Sequence, residues 1–316
     1  MNGKGGVITM RDHRWPGSAL AESPEAGATW RLGPVRLGYI DYLNCLPVYY
    51  GIEQGVIDLP VAVKKGPPSQ LNQLFLQGAL DITPISSVEY ARNASDAVIL
   101  PDLSISAEGR VTSVLLFSRR PLEELDGRPV ALTSHSATSV VLTKIILTER
   151  YGVQPRYFTA PPDPVAMLEE AEACLIIGDT ALLAAHDPVL RARFPDLRVI
   201  DLGEEFQRLT GEIMVFALWV IRREFAERNP DGVRLVTRLF QASRDYAMER
   251  MDELVEVALE RRNLPRAAVE EHFRQIRHHL TARYRSGLIR FFELARKIGE
   301  IDAVPPLHVW GETGLE

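Results

Sequence analysis

The sequence predicts an α/β protein made of two lobes with a cleft between them. Its 316 residues exceed the usual size of one domain and are enough for two, each with its own core. Short apolar strands alternate with segments of helical period, and the alternation starts again after residues 119–121. The apolar run at residues 213–221 is typical of a strand buried on both faces. Such a strand can carry the chain back to the first lobe, which leaves a cleft lined by loops and helix N-termini.

Three segments follow from this division. Residues 1–32 are rich in charges, prolines and glycines, lack the apolar stretch of a secretory signal, and are expected to be a flexible extension. Lobe 1 is predicted to be discontinuous, formed by residues 33–120 together with 223–316, and lobe 2 is predicted to be residues 121–222. Beyond residue 222 the pattern is helical, with turns at 229–231 and 263–265, and these helices should pack on lobe 1.

The predicted elements of lobe 1 are parallel strands separated by helices. Ser69 is expected to cap one helix, which Gly78 ends. Ser86 is expected to cap the next helix, with Glu89 as the carboxylate of a capping arrangement. The strands of this lobe are expected at residues 35–40, 61–63, 81–85, 97–100 and 111–118. In lobe 2, strands are expected at 129–132, 156–158, 173–177 and 199–202, and helices at 138–151, 163–170 and 180–186.

Composition and charge restrict the class of ligand. The chain has 42 acidic and 36 basic residues, a formal net charge of −6, so it has no basic field to attract nucleic acid or anionic lipid. No stretch approaches the roughly 18 apolar residues that a membrane span needs. The two cysteines, Cys45 and Cys174, lie far apart and suit a reducing compartment. We therefore expect a cytoplasmic protein that binds a small molecule and neither nucleic acid nor membrane.

Polar residues follow several predicted strands, at points that should meet along the cleft. The strand-to-helix junctions at 43–45, 85–87 and 134–139 each offer side-chain hydrogen-bond donors and free backbone N–H groups. A helix N-terminus favours an anion by about 0.3–1 kcal/mol, so several together predict a small organic acid as the ligand. The candidate site residues at these junctions are Asn44, Ser86, Ser87, Ser136, Thr138 and Ser139.

Each candidate also has a structural interpretation. Asn44 suits a ligand contact or the backbone of a tight turn, and a Ser-Ser pair is an ordinary helix cap. Asp179 follows a predicted strand, so it either points into the cleft as a substrate ligand or caps the next helix. His135 is a reserve candidate for a general base, although a single loop histidine is more often structural. Cys45 is expected to be a buried, unreactive thiol.

Sites for metals and nucleotides are not expected. His272 and His279 are interpreted as sharing a helical face roughly 10 Å apart, too far for one metal, and His278 does not close the gap. The glycine-rich residues 3–6 lack the Gly-Lys-Ser/Thr ending of a phosphate-binding loop, and no G-x-G-x-x-G follows a strand. No cofactor is therefore expected.

Three motifs stand out in this order: Y-I-D-Y-L-N-C-L-P at 39–47, P-S-Q-L-N-Q-L-F-L-Q-G-A-L-D-I-T-P-I-S-S-V-E-Y at 68–90, and S-H-S-A-T-S-V-V-L at 134–142. Together they resemble the motifs of the chorismate dehydratase family of the futalosine route to menaquinone. The similarity runs from about residue 35 to 298 and includes Thr210-Gly211 and Y-R-S-G-L at 284–288.

The resemblance implies a type II periplasmic-binding-protein fold used as a cytoplasmic hydro-lyase, which converts chorismate to 3-[(1-carboxyvinyl)oxy]benzoate and water without a cofactor. It implies that Asn44 and Ser86 form the active-site pair and that Ser136, Thr138 and Ser139 bind substrate from lobe 2. The substrate's own enolpyruvyl carboxylate is then a plausible base. Two alternatives stay open: a non-catalytic solute-binding protein for a small organic anion, and the related 1,4-dihydroxy-6-naphthoate synthase.

Overall fold

Two β-sheets form the framework of the molecule. The computed structural model describes residues 35–59 and 61–312, and the predicted N-terminal extension lies outside this part. In chain order the strands are β1 (Val35–Tyr39), β2 (Val61–Lys65), β3 (Ile82–Ser86), β4 (Ala97–Ala107), β5 (Val114–Ser118), β6 (Pro129–Thr133), β7 (Arg156–Ala160), β8 (Ala173–Ile177), β9 (Arg198–Asp201), β10 (Met214–Arg222) and β11 (Ile276–Arg277).

Helices connect the strands and cover the sheets. They are α1 (Leu46–Glu53), α2 (Pro68–Leu76), α3 (Ser87–Arg92), α4 (Ala137–Ile145), α5 (Pro164–Glu170), α6 (Gly178–Ala185), α7 (Pro188–Arg193), α8 (Leu202–Thr210), α9 (Arg223–Arg228), α10 (Pro230–Met248), α11 (Met251–Arg261), α12 (Arg266–Gln275) and α13 (Ala282–Lys297). A 3₁₀ turn covers Leu122–Glu124, and the π-helical turn Ile146–Arg150 continues α4. The turns predicted at 229–231 and 263–265 separate α9 from α10 and α11 from α12.

The first sheet has six strands in the order β11-β4-β10-β3-β1-β2. β1 is parallel to β2 and β3, as predicted. β10 lies antiparallel between β3 and β4, so β4 runs in the direction of β3 without pairing with it. Seven of the nine residues of β10 are buried, which confirms that the apolar run returns the chain to the first sheet as an interior strand. The predicted all-parallel unit is thus a mixed sheet.

The second sheet has five strands in the order β7-β6-β8-β5-β9, all of them drawn from residues 114–201. β6 is parallel to both of its neighbours, whereas β5 is antiparallel to β8 and β9. We refer to the parts of the molecule built on the first and second sheets as lobe 1 and lobe 2. The strand predicted at residues 111–118 as part of lobe 1 is instead β5 of the second sheet, because it pairs with β8 and β9. The residue boundaries predicted for the lobes otherwise remain a prediction.

The C-terminal helices pack mainly on lobe 1, and α13 also contacts both segments that cross between the lobes. The hydroxyl of Tyr284 donates to Oε1 of Glu108 at 2.7 Å, at the start of the first crossing. A Cβ atom at Gly287 would collide with the carbonyl oxygen of Ile213, just before β10. Glycine therefore lets α13 approach the second crossing closely.

Two local predictions for lobe 1 have different outcomes. The prediction that Ser69 caps α2 is wrong, because the helix already begins at Pro68 and no side chain caps it. A proline suits the first helical position, where its missing N–H has no partner to lose. Gly78 ends the helix as predicted, with a φ of 76° that glycine adopts without strain.

Candidate functional site

Four strand-to-helix junctions lie along the facing edges of the lobes. In lobe 1, β1 leads through a short turn into α1, and its parallel neighbour β3 leads directly into α3. In lobe 2, β6 leads into α4 and its parallel neighbour β8 leads into α6. Parallel neighbours end at the same edge of a sheet, where α/β proteins bind their ligands. The junctions carry Asn44, Ser86, Ser136 and Asp179, in that order.

Two buried hydrogen bonds join these junctions across the lobes. The backbone N–H of Val88, in the first turn of α3, donates to Oγ1 of Thr138 at 3.1 Å. The backbone N–H of Leu43, in the turn after β1, donates to Oδ1 of Asp179 at 3.0 Å. The junctions of lobe 1 therefore meet those of lobe 2 in pairs, in agreement with the expectation that they share one cleft.

Asn44 lies in the turn between β1 and α1 with its side-chain oxygen buried. That oxygen, Oδ1, has no hydrogen-bond partner among the described residues, so it does not serve the backbone of the turn. The carbonyl oxygen of Asn44 instead accepts a hydrogen bond from Nε2 of His278 at 2.7 Å. The role of Asn44 in catalysis stays a prediction. Its Oδ1 makes no hydrogen bond to the local fold and is therefore available to a ligand.

His278 is a residue of this site that sequence reasoning did not assign. Its side chain is buried, and burial lowers its pKa to about 4, so the ring is neutral near pH 7. Because a carbonyl oxygen only accepts hydrogen bonds, Nε2 must carry the proton. The interpretation that His272 and His279 share a helical face is wrong, since α12 ends at Gln275 and β11 lies between them.

Ser86 and Ser87 occupy different environments although they are adjacent. Ser86 is the last residue of β3, pairs with Ala217 of β10, and is 7% exposed. Ser87 is fully buried, and its hydroxyl donates to the carbonyl oxygen of Val215 at 2.7 Å, which holds it within lobe 1. The prediction that Ser86 caps α3 is wrong, because its side chain makes no capping hydrogen bond.

The companion prediction for Glu89 is also wrong. Its carboxylate accepts a hydrogen bond from Nη1 of Arg92 at 2.7 Å, one turn further along α3. The backbone N–H of Val88 donates to Thr138 of lobe 2 instead of to a capping side chain of lobe 1. The start of α3 is therefore completed by the other lobe.

Three predicted site residues lie together in the first turn of α4. Ser136 is the cap residue: its hydroxyl accepts from the backbone N–H of Ser139 at 3.2 Å and donates to the Ser139 hydroxyl at 2.9 Å. Thr138, between them, is 1% exposed and reaches lobe 1. His135 is half-buried in the preceding loop, where its backbone N–H donates to Oγ1 of Thr133. Their binding roles stay predictions.

Asp179 belongs to lobe 2 and holds the turn of lobe 1. Besides Leu43, its carboxylate accepts a hydrogen bond from Nε of Arg262 at 2.5 Å. Burial raises the pKa of Asp179, and the Leu43 N–H and the Arg262 guanidinium partly offset that rise. The interpretation of Asp179 as the cap of α6 is wrong, because the cap position is Ile177.

Arg262 extends this contact and was also not predicted. Its Nη2 donates to the carbonyl oxygen of Asp41 at 2.7 Å, so one guanidinium binds both the lobe 1 turn and the lobe 2 carboxylate. No sequence signal identifies it, because its partners lie 83 and 221 residues away in the chain.

The remaining reactive groups are buried or dispersed. Cys45 and Cys174 are free and buried, and burial raises the pKa of both thiols, in agreement with the expectation of an unreactive Cys45. Between residues 35 and 312, apart from residue 60, no group of three or more His, Cys, Asp or Glu side chains is arranged to hold a metal. No helix in this part of the chain is long and apolar enough to cross a membrane.

Comparison with known proteins identifies the family. The profile of a family described as menaquinone biosynthesis matches residues 35–297, which is most of the chain. The chain belongs to the menaquinone biosynthesis family. This menaquinone biosynthesis protein is 33% identical over 269 residues to the chorismate dehydratase of Thermus thermophilus, covering 82% of this chain and 94% of that protein. It is 26% identical over 224 residues to the 1,4-dihydroxy-6-naphtoate synthase of the same organism, covering 70% and 77% of the two chains.

Solved structures confirm the predicted fold. A protein from Archaeoglobus fulgidus superposes with a TM-score of 0.71 at 20% identity, covering 85% of this chain and 98% of its own. The periplasmic aliphatic sulphonate binding protein of Escherichia coli gives a TM-score of 0.60 at 13% identity, covering 87% and 96%. A Candida albicans protein with the generic periplasmic binding protein fold gives 0.64 at 10% identity, covering 88% and 94%. The menaquinone biosynthesis protein therefore has the two-lobed periplasmic-binding-protein fold.

Proposed function

We propose that this protein is a chorismate dehydratase, which eliminates water from chorismate to give 3-[(1-carboxyvinyl)oxy]benzoate in menaquinone biosynthesis. The observation that carries the proposal is the 33% identity to a chorismate dehydratase over 94% of that enzyme's length. The match to the menaquinone biosynthesis family supports the same pathway. The lower identity to the naphthoate synthase makes that activity the second candidate.

The chemistry of the reaction suits a site built from neutral polar groups. Chorismate carries two carboxylates and a ring hydroxyl. Loss of the ring C3 proton and the C4 hydroxyl as water makes the ring aromatic, which supplies a large driving force. Orientation of the substrate and fixed dipoles at its charged groups are then the main contributions required of the protein. The N-terminus of α4 and the polar turn before α1 offer such dipoles.

We assign the catalytic pair to lobe 1. Asn44, whose side-chain oxygen has no partner in the part of the chain that the structure describes, and Ser86, whose hydroxyl caps no helix there, are proposed to contact the carboxylate and enolpyruvyl part of the substrate. The substrate's own enolpyruvyl carboxylate is proposed as the base that removes the C3 proton. In support of this, the nearby carboxylate of Asp179 is already bound by a backbone N–H and by Arg262.

The predicted binding residues divide into two groups under this proposal. Ser136 and Ser139, in the first turn of α4, are proposed to bind a substrate carboxylate through the helix N-terminus. Thr138 and Ser87 have hydroxyls already bonded to backbone groups, so we propose that they support the site from behind. The protein is proposed to act in the cytoplasm on a small molecule, without nucleic acid or membrane partners, in keeping with its net charge of −6.

Incubation of the purified protein with chorismate, without added metal or nucleotide, tests the function. Mass spectrometry should detect a product lighter by one water, and its ultraviolet spectrum should be aromatic. Unchanged chorismate in the presence of folded protein would overturn the proposal. Two further measurements then separate the alternatives: binding of chorismate without turnover indicates a solute-binding protein, and turnover of a cyclic futalosine derivative indicates the naphthoate synthase.

A further inference from the structure

Two hydrogen bonds bracket the peptide unit that joins Leu43 to Asn44, and the one from Leu43 is buried. On one side the backbone N–H of Leu43 donates to Asp179, and on the other the carbonyl oxygen of Asn44 accepts from His278. We propose that His278 and Asp179 are positioning residues, which orient the Asn44 side chain toward the substrate without touching the substrate themselves. This inference rests on the proposed function only in its assignment of Asn44 to the reaction.

His278 is itself anchored to lobe 1. The backbone N–H of Ser104, in β4, donates to the carbonyl oxygen of His278 at 3.2 Å. The ring then reaches from this anchored backbone to Asn44, 234 residues earlier in the chain. Because the imidazole is buried and its pKa is lowered to about 4, the contact is a neutral hydrogen bond at physiological pH. His278 therefore holds Asn44 whether or not the lobes touch.

Asp179 makes the second contact depend on the other lobe. Its carboxylate comes from the first turn of α6 in lobe 2, so the bond to Leu43 exists only while the lobes are together. Arg262 supports that arrangement by binding both the carboxylate and the carbonyl oxygen of Asp41. Asn44 is thus held by one permanent contact and one that forms on closure, which couples its orientation to closure of the cleft.

The sensitivity of catalysis to geometry sets the expected effect. A displacement of about 1 Å at a reacting group can cost about 100-fold in rate. Loss of the His278 donor removes the hydrogen bond to the Asn44 carbonyl oxygen and frees the turn to shift. His278→Leu is therefore expected to lower kcat by about 10- to 100-fold, with a much smaller change in KM.

Three variants test the contact through chorismate turnover. His278→Leu removes the donor, and His278→Gln puts an amide N–H near the place of Nε2. His186→Gln is the control, because His186 follows the C-terminal end of α6 and lies outside the site. We expect the Leu variant to lose kcat, the Gln variant to recover most of it, and the His186 variant to match the wild type. Full kcat in a folded His278→Leu protein, or equal losses in the Leu and Gln variants, would overturn the role of His278.

A matched pair tests the lobe 2 contact. Asp179→Asn keeps an oxygen acceptor for the Leu43 N–H, whereas Asp179→Ala removes it. The Ala variant should lose more kcat than the Asn variant. If both retain wild-type kcat, Asp179 does not position Asn44, and if the main effect is a rise in KM, the earlier prediction of a direct substrate ligand is favoured instead.

Nuclear magnetic resonance of the histidine rings gives a readout independent of activity. In ¹⁵N-labelled wild-type protein, the His278 ring should be neutral near pH 7, with the proton on Nε2 protected from exchange with solvent. A ring protonated only on Nδ1, or exchanging freely, would overturn the inference even where His278→Leu fails to fold. A wild-type protein with no activity on chorismate would instead refute the proposed function and leave this structural contact standing.

Discussion

The two edges that face each other across the cleft use their polar side chains differently. On the lobe 1 edge, Oδ1 of Asn44 has no partner among the described residues and the side chain of Ser86 caps no helix. On the lobe 2 edge, Ser136 caps α4 and Thr138 binds the backbone of lobe 1. Lobe 1 thus leaves Oδ1 of Asn44 and the hydroxyl of Ser86 uncommitted, whereas lobe 2 uses its hydroxyls for a helix start and for the contact between the lobes. This difference supports the proposal that the catalytic pair lies in lobe 1.

The largest expected effect comes from the uncommitted groups. Asn44→Ala and Ser86→Ala should each lower kcat/KM by about 100- to 1000-fold, the range seen when one pre-oriented polar contact to a transition state is removed. The free energy of unfolding should fall less in the Ser86 variant than in a variant that loses a helix cap, because Ser86 makes no capping bond. Steady-state kinetics on chorismate and urea unfolding measure both quantities. Ser95→Ala, which changes an exposed serine of lobe 1, is the control. Full turnover by both site variants would contradict the assignment of the catalytic pair to lobe 1.

Acid should destabilise the protein through two buried histidines, His278 in lobe 1 and His272 against Thr112 in the first crossing. His272 and His278 have pKa values lowered to about 4 by burial, against about 6.5 in the unfolded chain. Between these values the unfolded chain binds more protons, so stability is present above pH 6.5 and falls as the pH drops toward 4. Each of these histidines should lower the free energy of unfolding by about 3 kcal/mol as the pH falls from 6.5 to 4.

Urea unfolding at pH 7 and at pH 4.5 measures this loss. His278→Gln cannot titrate, so it should lose less stability on acidification than the wild type does. An equal loss in the wild type and in His278→Gln would show that the buried histidine contributes nothing to acid sensitivity.

A smaller effect is expected where the lobes are joined. Thr138→Val keeps the shape of the side chain and removes the acceptor for the Val88 N–H. Loss of the partner of a buried group lowers the free energy of unfolding by about 1–3 kcal/mol. Because this bond spans the lobes, KM for chorismate should rise more than kcat falls. Thr143→Val is the matched control, since its hydroxyl donates to the carbonyl oxygen of Ser139 within α4 and does not join the lobes. An unchanged KM in Thr138→Val would show that the bond does not assist closure.

The smallest effect is local to α4. Ser136→Ala should lower the free energy of unfolding by about 1 kcal/mol, the usual value of a helix cap, and Ser136→Asp should restore it. Urea unfolding of these two variants beside Ser86→Ala compares a serine that caps with one that does not. Equal stability losses in Ser136→Ala and Ser86→Ala would contradict the assignment of caps.

The sequence predicted elements well where the signal was local and continuous. The apolar run that became β10 and the glycine that ends α2 were both placed correctly, because each depends on its own residues. β4 was predicted to stop at residue 100 but continues to Ala107. Pro101 and Asp102, the latter with a φ of 53°, interrupt its apolar pattern without ending the strand. An interruption of the apolar pattern therefore does not mark the end of a strand when neighbouring strands supply its backbone hydrogen bonds.

The sequence predicted the junction residues of the site but not the hydrogen bonds that join them to distant segments. The junctions were recognised from cap-like residues, and the structure brings them to facing edges. The assignment of Ser86 as a cap failed because the acceptor at the start of α3 comes from Thr138, in the other lobe. His278 and Arg262 were missed because their partners are far away in the chain and no local pattern marks them.

The position of β10 between β3 and β4 has a consequence for synthesis of the chain. All strands of lobe 2 lie within residues 114–201, so its sheet can assemble as soon as that stretch leaves the ribosome. The lobe 1 strands made earlier must wait for residues 214–222 before β3 and β4 gain their shared neighbour. During that wait they present open, apolar edges, which are the features that promote aggregation. The lobe that carries the proposed catalytic pair is thus begun first and completed last.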